Sequence, residues 1–455
     1  MGKSMRHIMY LNIYEDIKKT ILDGTYYVQS KLPSKRKLAN FYNVSVMTID
    51  SAYQQLIAEG YVLSIERKGY FVNEIPEHRF FKPSFDLNQR NVEFNDQQEF
   101  DDQQHRMTYF PHQIWAKISR KVLSDDPHMM DLNVDPQGLI HLRYEIKKYL
   151  EIYRGVIVSK DQIVIGSGSQ AMMQLIIAMI GRDFLYFMEE PGFPKLKEIL
   201  RHSGIKLITV DQDEQGILIH QIKTNQPALV HVTPSHQYPK GTVMPVGRRI
   251  EILNWVNASN QRFILEDDYD SEFRYQGQPI PALQSLDKNS KVIYMNTFSK
   301  SLSPAIKINY LVIPTSLMES YQKIKHIMAC SVPIFEQKVL TEFLKEHHFE
   351  RHLNKVKKIY RRKTLYVLER FKHIKHVKIT GFEAGLHMVL SFDSNTNIEE
   401  LNMLIKKKDI HLQKMDDYYD RKPDDCRKFI FEYASLDDHE LSKTIDIILA
   451  IMQES

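Results

Sequence analysis

Apolar positions along the chain change period more than once. Over residues 10–24, Tyr10, Ile13, Tyr14, Ile17 and Ile21 recur at i, i+3, i+4, i+7 and i+11 and stop before Gly24. That spacing predicts one amphipathic helix. Ser34 stands where an N-cap would, ahead of KRKLANFY, whose Leu38 and Phe41 are expected to face inward. Ser45 caps a third predicted helix with inward Ile49, Ala52, Tyr53, Leu56 and Ile57, ended by Gly60. YVLSIERKGYFV then reads as a hairpin with Arg67, Lys68 and Gly69 at its tip. Helix, turn, helix and β wing in that order predict a winged helix-turn-helix over residues 1–75.

Residues 76–105 lose the apolar period and carry seven acids against three bases, as expected of a linker. From 106 to 455 the pattern becomes short β-rich runs separated by helical stretches. QIVIG precedes SQAMMQLIIAMIG, FLYFM precedes PKLKEILRHSG, and KLITV is expected to lead into another helix. ALVHVTP, RFILEDD and KVIYMNTF follow. Alternation of this kind predicts an α/β domain with a mainly parallel sheet, whose ligands lie beyond the carboxyl ends of the strands.

Charge sharpens this division. The whole chain has 61 basic and 57 acidic residues and so excludes a chain-wide basic coat. The local balance differs: residues 1–75 carry ten bases against seven acids, and the linker is net negative. Nucleic acid is therefore expected at the head alone. Two cysteines, Cys330 and Cys426, exclude a disulfide framework, and no Cys-x-x-Cys marks a zinc site. No apolar run reaches the length of a membrane span, and the first residues meet Glu15 and Asp16 before a secretory core forms. A cytoplasmic protein with no membrane partner and no metal is expected.

In the head, Ser45, Val46, Met47 and Thr48 would face the major groove. Lys35 and Arg36 would meet phosphate at a helix start, with Arg67 and Lys68 doing so on the wing. In the body, three strand ends deliver chemistry. Asp267 and Tyr269 follow one strand, Ser299 and Lys300 another, and IGSGSQ places Gly168, Ser169 and Gln170 at a helix start suited to phosphate. A lysine amine for a Schiff base, a carboxylate for a pyridine nitrogen, a phenol and a phosphate cradle are what pyridoxal phosphate (PLP) needs.

The residues also carry a resemblance. LPSKRKLANFYNVSVMTIDSAYQQLIAEGYVLSIERKGYFV is similar to the DNA-binding domain of GntR-family bacterial regulators. The body, with DPQGLIHLRYEIKKYL, MEEPGF, TPSHQYPKGTVMPVGRRI, EDDYDSEF and TFSKSLSP, resembles the fold-type-I PLP-dependent transferases. The whole resembles the MocR subfamily in its GabR-like form. The resemblance implies a multidomain protein, a winged helix-turn-helix joined to an aminotransferase-like body with a small C-terminal α+β subdomain. It implies Lys300 as the residue in aldimine linkage with PLP, Asp267 for the ring nitrogen, Tyr269 for the ring oxygen and Phe193 stacked on the ring. Gly168, Ser169, Gln170, Ser299 and Lys307 would hold the phosphate. It also implies a domain-swapped homodimer on double-stranded operator DNA. Its effector would be PLP, alone or with an amine or amino acid such as γ-aminobutyrate.

Four positions depart from the family's pattern. Val46 stands where the reading helix usually has arginine, and is expected to favour a thymine methyl. Lys307 replaces an arginine toward phosphate, and Tyr238 replaces an asparagine. Ser435 and Lys195 stand where arginines toward a substrate carboxylate are expected, with Arg421, Arg427 and His387 as replacements. A working aminotransferase with a vestigial head, or a DNA-binding protein whose body only dimerises, are the rival readings.

Overall fold

The computed structural model describes residues 2–74, 109–275, 280–393, 398–407, 410–423 and 426–453. The chain divides into two compact units, 1–99 and 100–455. The expected linker, 76–105, lies outside the described residues.

The head is built by α1 (Gly2–Leu22), α2 (Lys35–Phe41), α3 (Val46–Ala58) and the antiparallel wing β1 (Val62–Ile65) and β2 (Gly69–Val72). Ser34 Oγ accepts from the Lys37 amide and Ser45 Oγ from the Thr48 amide, so both helices start at the capped positions read from sequence. Ile13, Tyr14 and Ile17 of α1 pack on Ile49, Ala52, Tyr53 and Leu56 of α3 around Leu38 and Ala39. One expectation fails. Phe41 is 78% exposed, because Ala39 takes the inner place beside Leu38 and the last turn of this short helix points its ring outward.

The body begins with α4 (His112–Asp125) and α5 (Ile140–Arg154). Then β3 (Ile163–Gly166), α6 (Gly168–Ile180), β4 (Leu185–Glu190), α7 (Pro194–His202) and β5 (Leu207–Asp213) alternate. The helix expected after KLITV is absent. Gly216, at φ +109, turns the chain into β6 (Gly216–Ile217), which pairs antiparallel with β5, and one short 3-10 turn leads on to β7 (Ala228–Val232). Next come α8 (Val246–Asn257), β8 (Arg262–Asp267), β9 (Val292–Thr297) and β10 (Asn309–Val312).

The sheet order is β3-β10-β9-β8-β7-β4-β5-β6. Strands β5, β4, β7, β8 and β9 run parallel, and β10 runs antiparallel between β9 and β3. Alternate residues serve opposite faces. Phe263 and Leu265 pack with Met172, Leu196 and Tyr321, whereas Ile264 packs with Ile252 and Val256 of α8. Both faces are covered, which is why these strands read as continuous apolar runs.

Further helices follow: α9 (Met318–Lys325), α10 (Ile334–Lys345), the 24-residue α11 (His348–Phe371) and α12 (Ile398–Lys406). With α13 (Asp438–Gln453) the last two pack on a second, antiparallel sheet of β11 (Val377–Thr380), β12 (Met388–Phe392), β13 (Gln413–Lys414) and β14 (Lys428–Phe431). That is the C-terminal α+β subdomain.

The end of α5 is locked to the sheet by a buried ion pair. Arg154 Nε donates to Asp268 Oδ2 at 2.8 Å, its Nη2 reaches Ser235 Oγ at 2.8 Å, and Tyr294 donates to the same Asp268 oxygen at 2.5 Å. Replacing one partner strands the other charge out of water, a cost of roughly 3–5 kcal/mol. Arg154→Leu is therefore expected to lower the urea midpoint of the body sharply. Loss of both charges in Arg154→Leu with Asp268→Leu should cost less than Arg154→Leu alone.

Candidate functional site

The carboxyl ends of β3, β4, β7, β8 and β9 border one cavity of about 1070 Å³. Gly168, Ser169, Gln170, Phe193, Asp267, Tyr269, Ser299, Lys300 and Lys307 all line it. The sequence places Asp267 and Tyr269, Ser299 and Lys300, and the Gly168–Gln170 turn at separate strand ends, and the family resemblance adds Phe193 and Lys307; the fold brings all of them to one cavity.

Alternation sorts the two neighbouring acids at the end of β8, Asp267 and the residue after it, Asp268. Asp268 turns into the core toward Arg154, so Asp267 turns toward the cavity. There His231, at the end of β7, places Nε2 3.3 Å from Asp267 Oδ2 and fixes the carboxylate. Asn309 does comparable work at the phosphate-type end. As the first residue of the antiparallel β10 it lies between Gly166 and Thr297, and its Oδ1 accepts from the Gly168 amide at 3.1 Å and Thr297 Oγ1 at 3.2 Å. Gly168 needs φ +75 to make this turn. The N-cap Ser167 makes no side-chain cap to α6, which leaves the first-turn amides after Gly168, those of Ser169 and Gln170, for an anion. Ser299 Oγ bonds Ile306 O at 2.9 Å and so staples the Lys300 loop to the Lys307 loop. Lys300 is half-buried, and among the described residues no acceptor pairs with its ammonium.

Tyr269 OH lies 3.2 Å from His236 Nδ1, and burial raises its phenol well above the ordinary value. The same His236 nitrogen is 2.9 Å from Asp270 Oδ2, while its Nε2 meets Gly381 O at 3.2 Å. Gly385 must be glycine here, since a Cβ would fall 2.0 Å from the His236 ring.

On the DNA side, Val46 and Met47 are exposed on α3, Met47 at 76%, and Arg36, Arg67 and Lys68 are exposed cations. Ser45 and Thr48 bond each other across the cap at 2.8 Å. Lys35 is occupied within the head: it pairs with Asp50 and sits 5.0 Å over the Tyr70 ring.

Comparison with known proteins decides the family. Residues 9–72 match the family described as bacterial regulatory proteins, gntR family, and residues 99–443 match aminotransferase class I and II. The chain is 36% identical over 420 residues to the uncharacterized HTH-type transcriptional regulator YdeL of Bacillus subtilis, covering 91% of this chain and 90% of that one. It is 29% identical to the probable rhizopine catabolism regulatory protein MocR of Rhizobium meliloti, over 84% of this chain and 82% of that one. The chain belongs to the MocR subfamily of GntR-family regulators. Among solved structures, a kynurenine aminotransferase from Pyrococcus horikoshii superposes with a TM-score of 0.66 at 22% identity, covering 76% of this chain and 88% of that one. The body therefore has the fold of the fold-type-I aminotransferases, and the head of this MocR-subfamily chain is a DNA-binding domain. Among the described residues no helix is long and apolar enough to cross a membrane.

His231, Asn309, His236, Asp270, Tyr418 and Glu432 belong to the site of this MocR-type body and were not singled out from sequence. They come from segments far apart in the chain, and no spacing rule joins them. His236, Asp270 and His387 bring ligand-type atoms within 4.8 Å of one another. Both His236 nitrogens already meet acceptors, however, so the ring is a donor on each side and offers no lone pair to a metal.

Burial opposes the His236 imidazolium, and the Asp270 carboxylate more than offsets it, raising the pKa above the ordinary 6.5. The pair's contribution to stability is thus fully present below pH 6.5 and is lost as pH rises through the raised folded value. Urea midpoints measured from neutral to alkaline pH should fall for the wild type. His236→Asn should start lower and lose that segment of the decline.

Proposed function

We propose that this protein is a PLP-responsive transcriptional regulator. Its head grips operator DNA with α3 and the wing, and its body senses PLP, alone or together with an amine or amino acid. The observation that carries the reading is the convergence of Lys300, Asp267, Tyr269 and the uncapped start of α6 on one cavity. The residues fit the group: an anion cradle at one end, a carboxylate held by His231 at the other, and an uncommitted amine between them in function.

Bound there, PLP supplies an electrophilic carbonyl carbon and an electron-withdrawing ring. The chain's own groups do the rest. Lys300 Nζ is the nucleophile that fixes the cofactor. Asp267 holds a proton at the ring nitrogen, and His231 keeps that carboxylate aimed. Tyr269 would donate its hydroxyl toward the ring oxygen, Phe193 would pack against the ring, and Lys307, which lines the same cavity, would add a point charge for the phosphate. Ligand shifts the arrangement of heads in a homodimer only through unequal affinity for two states of the body. A working aminotransferase with a vestigial head fits less well, since the head keeps two capped helices and a complete apolar core.

Two experiments test this reading. Borohydride reduction of the PLP-loaded protein followed by peptide mapping should find the label on Lys300, and Lys300→Ala should take up none. Label spread over other lysines with Lys300 unmodified would sink the proposal. On duplexes selected from a random library, Arg67→Ala and Lys68→Ala should each weaken binding evenly across sequences and reduce the salt slope by about 1. Met47→Ala should instead change the preferred sequence.

A further inference from the structure

One face of α11 carries charge of a single sign. Between Glu350 and Glu369 the helix has seven bases and no acid. Two of the bases turn inward: Lys363 is buried and donates to Ala434 O at 3.2 Å, and Lys357 lines a narrow crevice with Glu272. Leu353, Val356, Tyr360 and Val367 of the same helix lie in the core. Arg351, Lys355, Lys358, Arg361 and Arg362 are left exposed on the outer face. Spacings of i, i+4, i+7 and i+11 put Arg351, Lys355, Lys358 and Arg362 in one row, with Arg361 beside it. At 1.5 Å of rise per residue the row is about 16 Å long.

The acids around it are engaged elsewhere or offset little. Glu350 faces His347, and Glu369 pairs with Lys372. Arg362 Nη2 lies 2.8 Å from Asp438, in a pair exposed on both sides and therefore weak. Arg351 Nη2 donates to a neutral acceptor, Glu346 O, at 2.7 Å. Among the described residues Lys355, Lys358 and Arg361 have no ion-pair partner. Helix stability does not account for the row. Like charges three and four residues apart oppose one another, and Arg351 stands in the first turn, where the helix dipole disfavours a cation. A merely solvated face ordinarily mixes both signs. The chain-wide totals of 61 bases and 57 acids conceal this concentration.

We propose that the outer row of α11 is a second DNA-contacting surface, carried by the body, that takes the phosphate backbone of duplex DNA without reading its sequence. Regularly spaced cations on a rigid helix match a polyanion, since a duplex bears one negative charge per about 1.7 Å of its axis and each phosphate neutralised releases counterions. Phosphate contacts of this kind add affinity and carry no sequence information. The head of the same chain is a DNA-binding domain, so the duplex it holds is presented to the body at a raised effective concentration. Sequence choice stays with α3.

The test measures binding of the full-length protein, with PLP present, to long duplexes over a range of salt. The wild type is compared with the triple variant Lys355→Gln, Lys358→Gln and Arg361→Gln. A control, Lys206→Gln with Lys223→Gln and Lys288→Gln, removes three exposed charges ahead of β5, β7 and β9. The α11 triple should bind about tenfold or more weakly at low salt, evenly on selected and unrelated duplexes, and its salt slope should fall by about 3. The control should bind like the wild type, as should the charge-keeping triple Lys355→Arg, Lys358→Arg and Arg361→Lys. Unchanged urea midpoints separate a lost contact from a lost fold. Wild-type affinity and slope in the α11 triple would overturn the proposal. An equal loss in the control would do so too, because net charge and not this row would then be the cause. A loss confined to selected duplexes would also contradict it, since a backbone contact has no sequence to read. Arg67→Ala reports on the wing separately, so a failed reading of the head shows as an unmoved slope there while α11 is judged on its own triple.

Discussion

The buried pair between Arg154 and Asp268 is the constraint around which the body is organised. One guanidinium joins the end of α5, the end of β8 and the loop after β7, through Asp268, Ser235 and Ile280 O. Because Asp268 is drawn inward, the strand's alternation presents Asp267 to the cavity. Because Ser235 is held, the next residue, His236, is set between Asp270 and Tyr269. A charge this deep costs several kcal/mol to desolvate and persists only where every element around it is in place. The site inherits its geometry from that requirement.

A second layer of positioning comes from single side chains that tie neighbouring strand ends. Asn309 spans the start of α6 and the end of β9, His231 spans β7 and β8, and Ser299 closes the loop that carries Lys300. Each acts through hydrogen bonds a few ångströms from the cavity. Together they make an anion cradle and a fixed carboxylate, and the longest of these ties, Asn309 to Gly168, joins residues 141 apart in the sequence. Elsewhere on the cavity lining Lys197 holds the Tyr418 carbonyl, and Tyr238 stands between Tyr418 and Glu432.

Much of this was legible in the sequence where the physics is local. Ser34 and Ser45 announce their helices because a cap is a contact three residues long, and the runs QIVIG, RFILEDD and KVIYMNTF announce buried strands by their unbroken apolar character. Lys300, Asp267, Tyr269 and Gly168 were readable because they sit at the ends of such runs. Phe41 was misread because helical period alone does not say which of two apolar residues a short helix buries. The stretch after KLITV was misread because Gly216 allows a hairpin that periodicity does not reveal. His231 and Asn309 were not legible, since their roles arise only when separate strand ends meet. Nor does the sequence show that Lys35, read as a phosphate contact, pairs with Asp50 and lies over the Tyr70 ring.

The central claim is that chemistry at Lys300 changes how the heads meet DNA. The most direct measurement is operator affinity at fixed salt, titrated with PLP, for the wild type and Lys300→Ala. The account predicts that PLP changes wild-type affinity about fivefold or more and leaves Lys300→Ala unmoved. An identical response in the two proteins, or none in the wild type once PLP is bound, would contradict it.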